Sequence, residues 1–116
     1  MNRKRAEEGG RRAERLAAWW LRLKGWRILA VRARTPVGEV DLVARRGRVL
    51  AFIEVKARAG EAEAALALDE WRLRRVARAA EALAPRYARA GDDIRIDAMF
   101  LVPRRLPRHL ANVWRG

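Results

Sequence analysis

The chain has 116 residues, enough for one two-layer domain and too few for a second of ordinary size. It contains no cysteine, which excludes disulfides, thiolate nucleophiles and zinc–thiolate sites, and its single histidine, His109, excludes a multi-histidine metal centre. Its 27 Lys and Arg against 14 Asp and Glu leave a net charge of +13, a field that attracts polyanions, with nucleic acid the first candidate and an anionic membrane surface the second. A coding bias toward Arg and Ala would raise the basic content evenly, whereas residues 1–35 alone hold eleven basic residues and three acids. No run approaches the roughly 18 apolar residues of a spanning helix, and M-N-R-K-R is not followed by an uncharged apolar export segment. A cytoplasmic protein that does not enter the membrane is therefore expected.

Residues 1–10 are polar and basic, read as loose, with Gly9-Gly10 as a breaker. A helix is expected from Arg11 to Lys24, because Ala13, Leu16, Ala17, Trp20 and Leu21 recur at the spacing of an apolar stripe, and Gly25 ends it. Glu14 lies beside that stripe, placed either to look toward a sheet or to pair with Arg11 one turn back. Trp19 and Trp20 are adjacent, so one narrow stripe does not bury both, and they either cover a wide sheet or leave one ring for another chain. Trp26–Arg34 reads as an edge strand carrying Arg27, Arg32 and Arg34, and Pro36 turns the chain. Two further strands, near Gly38–Arg45 and Val49–Arg58, are joined through Gly47. Ala57–Ala67 reads as a loop. A second helix runs from an Asp69 N-cap to about Ala84, burying Leu73, Val76, Ala80 and Leu83, with Pro85 as its stop. Ile94–Val102 is a strand with Ile94, Ile96, Ala98 and Phe100 on one face, and Leu110–Trp114 forms a last short strand or a packed tail. The order of elements describes an α/β sandwich around a small mixed sheet.

The chemistry concentrates in G-E-V-D-L-V-A-R-R-G-R-V-L-A-F-I-E-V-K, residues 38–56. Alternation puts Glu39 and Asp41 on one face of the first strand, and Glu54 and Lys56 on one face of the second. Charged side chains set inside apolar strands ask for a partner or a metal. Two carboxylates converging across neighbouring strands suit a hard cation such as Mg²⁺ or Mn²⁺, and a nearby lysine suits stabilisation of charge on a phosphorane or, as the free amine, help in deprotonating water. Taken alone, E-x-K on a strand describes an ion pair equally well.

The runs G-E-V-D-L-V-A and A-F-I-E-V-K-A-R resemble the signature of the uncharacterised YraN-like proteins. These are similar to the restriction-endonuclease-like PD-(D/E)xK nucleases and, among them, to archaeal-type Holliday junction resolvases. Gly10–Leu21 matches the family's opening helix, Arg95-Ile96-Asp97 resembles its R-F-D strand, and His109–Trp114 resembles its closing segment. The resemblance implies an αβββαβ core, a site of Asp41, Glu54 and Lys56, and Glu14 and Glu39 as accessory acids. It also implies a metal held by Asp41, Glu54 and the Val55 backbone carbonyl. Two departures stand out: Val40 replaces the proline of the superfamily name, and Arg72 occupies a position where the family tends to carry lysine, which removes any ammonium-specific role there.

The expected function is a Mg²⁺- or Mn²⁺-dependent nuclease acting on DNA, branched or irregular DNA included. Arg32, Arg34, Arg58, Arg72 and Arg75 are the expected contacts to the backbone. Two alternatives remain open at this point: a non-catalytic nucleic-acid-binding module on the same scaffold, and an interaction or assembly protein, a homodimer included, that uses the five tryptophans.

Overall fold

Alternating apolar residues make the strands, and two small-residue helical stripes cover them. The computed structural model describes residues 3–58 and 70–114. The elements are α1 (Arg3–Leu23), β1 (Arg27–Thr35), β2 (Gly38–Arg46), β3 (Val49–Ala57), α2 (Glu70–Tyr87), β4 (Asp93–Leu101) and β5 (Arg108–Leu110). The expected αβββαβ order is present, with β5 added. The Asp69 cap and most of the Ala57–Ala67 loop lie outside the described residues.

The sheet order is β1-β2-β3-β4-β5. Strands β1, β2 and β3 are successively antiparallel, β4 lies parallel to β3, and β5 returns antiparallel to β4. The parallel pair is joined by a connection that contains α2, as a parallel step requires. Helix α2 covers one face, burying Leu73, Val76, Ala79, Ala80 and Leu83 on Val43, Leu50, Phe52 and Ile96. Helix α1 covers the other, with Ala17, Ala18 and Leu21 on Leu42, Ala44, Ala51, Ile53 and Met99.

Two turns set the registers. Helix α1 ends in a Schellman arrangement: the Trp26 N–H reaches the Leu21 carbonyl at 2.9 Å, the Gly25 N–H reaches that of Arg22 at 3.1 Å, and Gly25 has φ 89°. Trp26 folds back onto Leu21 in the same cluster, which aims β1 across the sheet. Gly47 and Arg48 form the two-residue turn between the paired Arg46 and Val49, and φ 61° at Gly47 is the glycine-first geometry that suits strand twist.

Several boundaries and faces differ from the sequence reading. Helix α1 begins at Arg3 and runs through Gly9 and Gly10 instead of starting at Arg11. An interior glycine costs about 1 kcal/mol relative to alanine, which a long packed helix tolerates. Helix α2 passes Pro85 and ends at Tyr87, with Pro85 inside its last turn. The final strand is Arg108–Leu110, and Val113 in the tail donates to the Ile96 carbonyl at 2.8 Å. Leu16, expected in the α1 stripe, is 49% exposed because Ala13, Ala17, Ala18 and Leu21 face the sheet. Trp20 packs at the margin of the core, while Trp19 points outward. Ile94, near the start of β4, is half exposed.

Gly38, at the start of β2, lies close against α2. Its φ is 151°, and a Cβ there would stand 3.4 Å from the Arg75 carbonyl oxygen and 3.6 Å from the Ala79 Cβ. Gly38→Ala is expected to destabilise the protein by about 1 kcal/mol or more, measured as a lower urea midpoint at unchanged m-value. An unchanged midpoint would show that α2 shifts without cost.

Candidate functional site

Strands β2 and β3 separate at the acids. Their ladder runs from Arg46–Val49 to Leu42–Ile53 and is not continued to Asp41 and Glu54. Beyond that point the Asp41 side chain stands in for a strand carbonyl, and its Oδ2 accepts the Val55 N–H at 2.7 Å. A residue's N–H and C=O leave an extended strand on the same side, so the Val55 carbonyl also faces the gap.

This corrects the expected placement of Asp41. Strict alternation would put Glu39 and Asp41 together on one face. Instead Val40 and Val43 both enter the α2-side core while Leu42 enters the α1-side core, so the period slips between them. Asp41 is turned toward β3, and Glu39 stays on the α2 side. Glu54 and Lys56 do share that side, as alternation requires, and are ion-paired with each side chain 14% exposed.

Glu39, Glu54 and Lys56 line a recess of about 350 Å³ whose far wall is Trp71, Arg72 and Arg75 from α2. The Arg75 guanidinium lies 5.1 Å over the Trp71 ring, and Arg34 pairs with Glu39 at 3.3 Å. Trp71 was not anticipated from the sequence. Its signal is an aromatic in the first turn of α2 that falls off the Leu73–Val76–Ala80–Leu83 stripe.

On the other side of Asp41, Glu14 is only 8% exposed and faces the sheet, pairing with Arg32 at 2.5 Å and not with Arg11. Arg32 has φ 53°, rare for a residue with a side chain, and stands between the Val31–Leu42 and Ala33–Val40 pairs. Arg11, Arg15, Arg22 and Arg34 surround this ion pair in a recess of about 520 Å³. Arg58 lies apart, beyond the carboxyl end of β3, where it donates to the Ala57 carbonyl.

Burial pushes the Asp41 carboxyl up to about 6, and the charges of Glu54 and Glu14 add to the shift against the opposing Val55 N–H and Lys56. Among the described residues no group of three or more Asp, Glu or His side chains is placed to hold a metal ion. The fork sets half-buried Asp41 against the Val55 backbone and within electrostatic reach of Glu54. That donor set fits Mg²⁺ or Mn²⁺, which take one or two carboxylates and keep part of their water shell.

A second carboxylate, Asp97 at the middle of β4, is fully buried. Arg95 grips it through Nε at 3.2 Å and a terminal nitrogen at 2.9 Å, His109 Nε2 lies 2.7 Å from it, and the Asn112 N–H donates to it at 2.9 Å. Burial raises its carboxyl, but the His109, Arg95 and Asn112 hydrogen bonds outweigh that and hold it below the usual range. The group ties β5 and the tail to β4.

Residues 13–101 match the uncharacterised protein family UPF0102. The chain belongs to that family. A UPF0102 protein of Sphingopyxis alaskensis is 70% identical over 114 residues, covering 98% of each chain. One of Erythrobacter litoralis is 58% identical over 114 residues, again 98% of each, and one of Caulobacter vibrioides is 46% identical over 112 residues, 96% of this chain and 90% of that one. The YraN-like resemblance read from the β2 and β3 runs is therefore upheld. Among solved structures the fold is similar to that of Archaeoglobus fulgidus Hjc, a Holliday junction resolvase from an archaeal hyperthermophile. The TM-score is 0.61 at 20% identity, over 86% of this chain and 73% of that one, and the likeness establishes the restriction-endonuclease-like α/β architecture. Among the described residues, no helix of this family member is long and apolar enough to cross a membrane.

Proposed function

We propose that this UPF0102 member is a divalent-metal-dependent nuclease acting on DNA, branched or irregular DNA included. The observation that carries the reading is the fork between β2 and β3, where half-buried Asp41 and the Val55 backbone meet beside the Glu54–Lys56 pair. Asp41, Glu54 and Val55 would hold Mg²⁺ or Mn²⁺. The chemistry such an ion supplies when bound is polarisation of a phosphodiester and acidification of water. Lys56, released from Glu54 as a phosphate enters the recess, neutralises as the ammonium the charge building on the phosphoryl oxygens; only as the free amine would it take a proton from the attacking water. Glu39 and Glu14 act as accessory acids. Arg72 and Arg75 on the α2 wall, with Arg34 and the arginines of α1, hold the DNA backbone without reading bases, and Arg32 orders Glu14 beside them.

Cleavage of duplex, single-stranded, flap and four-way-junction DNAs in Mg²⁺ or Mn²⁺ tests this. Glu54→Ala and Lys56→Ala are expected to lower cleavage at least a hundredfold while binding persists. Binding with steep salt dependence but no metal-dependent hydrolysis in the parent would mean a binding module instead.

A further inference from the structure

A larger apolar recess lies at the carboxyl ends of the parallel strands β3 and β4, outside the fork. It measures about 520 Å³, with Leu16 and Trp19 of α1 on one wall and Leu101, Pro103 and Pro107 on the other. Trp19 is 56% exposed and Leu16 49%, so α1 carries an outward apolar stripe in addition to the one it buries. Four arginines, Arg12, Arg58, Arg104 and Arg105, rim the recess, and no acid is among its described lining residues. An exposed indole beside aliphatic walls offers a stacking surface, and the rim offers charge to anions on either side of whatever stacks. An unpaired nucleobase has both properties, an apolar face and a phosphate at each end. A protein partner would need a run of acids around a large apolar residue to satisfy the same rim.

We propose that this recess receives an unpaired nucleobase from a single-stranded segment of DNA, with Trp19 as the stacking platform and Arg12, Arg58, Arg104 and Arg105 on the flanking phosphates. The position supports this. Ala57, the last residue of β3, and then Arg58 follow Lys56 directly, so the recess opens one strand residue, about 3.3 Å, beyond the lysine and on the opposite face of the sheet. A DNA strand lying on Lys56 and crossing the end of β3 reaches it within a few nucleotides. The inference rests on the nuclease reading only for the direction in which the strand is delivered; base capture itself needs no metal. It narrows the substrate to DNA with an unpaired stretch beside the scissile phosphate.

The test is binding, measured in chelator by fluorescence anisotropy, of labelled oligothymidylate and of a blunt duplex of equal length to the parent, Trp19→Ala and Arg104→Glu. Trp19→Ala is expected to weaken oligothymidylate binding about tenfold and duplex binding less than twofold, because stacking contributes about 1–3 kcal/mol per base. Arg104→Glu is expected to weaken single-strand binding and to flatten its salt dependence. Equal effects of Trp19→Ala on the two DNAs, or none on either, would overturn the proposal. So would a parent dimer in sedimentation that Trp19→Ala converts to monomer, which would make the recess an interface between copies. Absence of cleavage with the single-strand preference intact would remove the nuclease reading and leave this one standing; cleavage with no such preference would do the reverse.

Discussion

Asp41→Asn is expected to abolish metal-dependent cleavage and, in the metal-free protein at pH 8, to raise stability by about 1–3 kcal/mol. The two effects have one cause. The folded carboxyl titrates near 6 against an ordinary value of 3.8, burial being the main reason. Between those two values the folded state holds a proton that the unfolded chain has released. Stability therefore falls as pH rises through that window, and the loss is complete above about 6. A shift of this size corresponds to roughly 3 kcal/mol, at about 1.4 kcal/mol per pH unit. Asparagine carries no charge at any pH, and its side-chain oxygen can still accept the Val55 N–H. The variant should gain most above pH 7, and the difference should close near pH 4 in urea titrations with chelator. Adding Mg²⁺ should reverse the order, because a ligand that binds only the folded state stabilises the parent by mass action and finds no site in the variant. A variant less stable than the parent at pH 8 in chelator would show that the Asp41 charge is already compensated, and the metal argument would lose its electrostatic basis. The expected trade of stability for activity is what a functional site, in contrast to a structural ion pair, displays.

Asp97→Ala is expected to cost about 3–5 kcal/mol. The carboxylate is fully buried and answers Arg95, His109 and the Asn112 N–H at once. Removing it leaves the Arg95 guanidinium without its counter-charge and the His109 ring without its hydrogen-bond partner, next to Trp26, over which Arg95 and Arg46 also lie at 5.7 and 4.7 Å. Asp97→Asn should fall between the two, since one oxygen can still accept from Asn112. The pH dependence has the opposite sign to that of Asp41. A depressed folded pKa gives stability that is present above the unfolded value near 4 and is lost as pH falls through the lower folded value. The parent should therefore lose stability below about pH 4 more steeply than Asp97→Ala. Faster hydrogen exchange at Val113, whose N–H bonds Ile96, would report release of the tail before global unfolding. A loss below 1 kcal/mol would mean that β5 and the tail are held by apolar packing alone.

The elements most legible in the sequence were those whose local pattern and tertiary environment agree. The α2 stripe of Leu73, Val76, Ala80 and Leu83 is buried as read, and Glu54 and Lys56 share a face as period-two alternation demands. The reading failed where local signals were overridden. Gly9-Gly10 and Pro85 are breakers in isolation, yet both lie inside helices that each bury an apolar stripe on the sheet. Leu16 fits a helical stripe by spacing, but the smaller Ala13, Ala17 and Ala18 let α1 lie closer to the sheet, and Leu16 turns out toward the recess beside Trp19. Ile94 matches its strand's pattern, but it is half exposed near the start of β4.

Residue order alone was enough to establish a small cysteine-free α/β chain with a basic opening segment and a pair of strands carrying acids and a lysine, because charge, cysteine content and strand period are local properties of the chain. Four matters depended on contacts between residues far apart in sequence. Asp41 leaves its expected face to occupy a gap in the ladder, Glu14 meets Arg32 across α1 and β1, Trp71 closes the recess over Glu54 and Lys56, and Asp97 gathers Arg95, His109 and Asn112. Each is a balance of desolvation against a specific partner, and neither quantity exists until the sheet has brought the partners together.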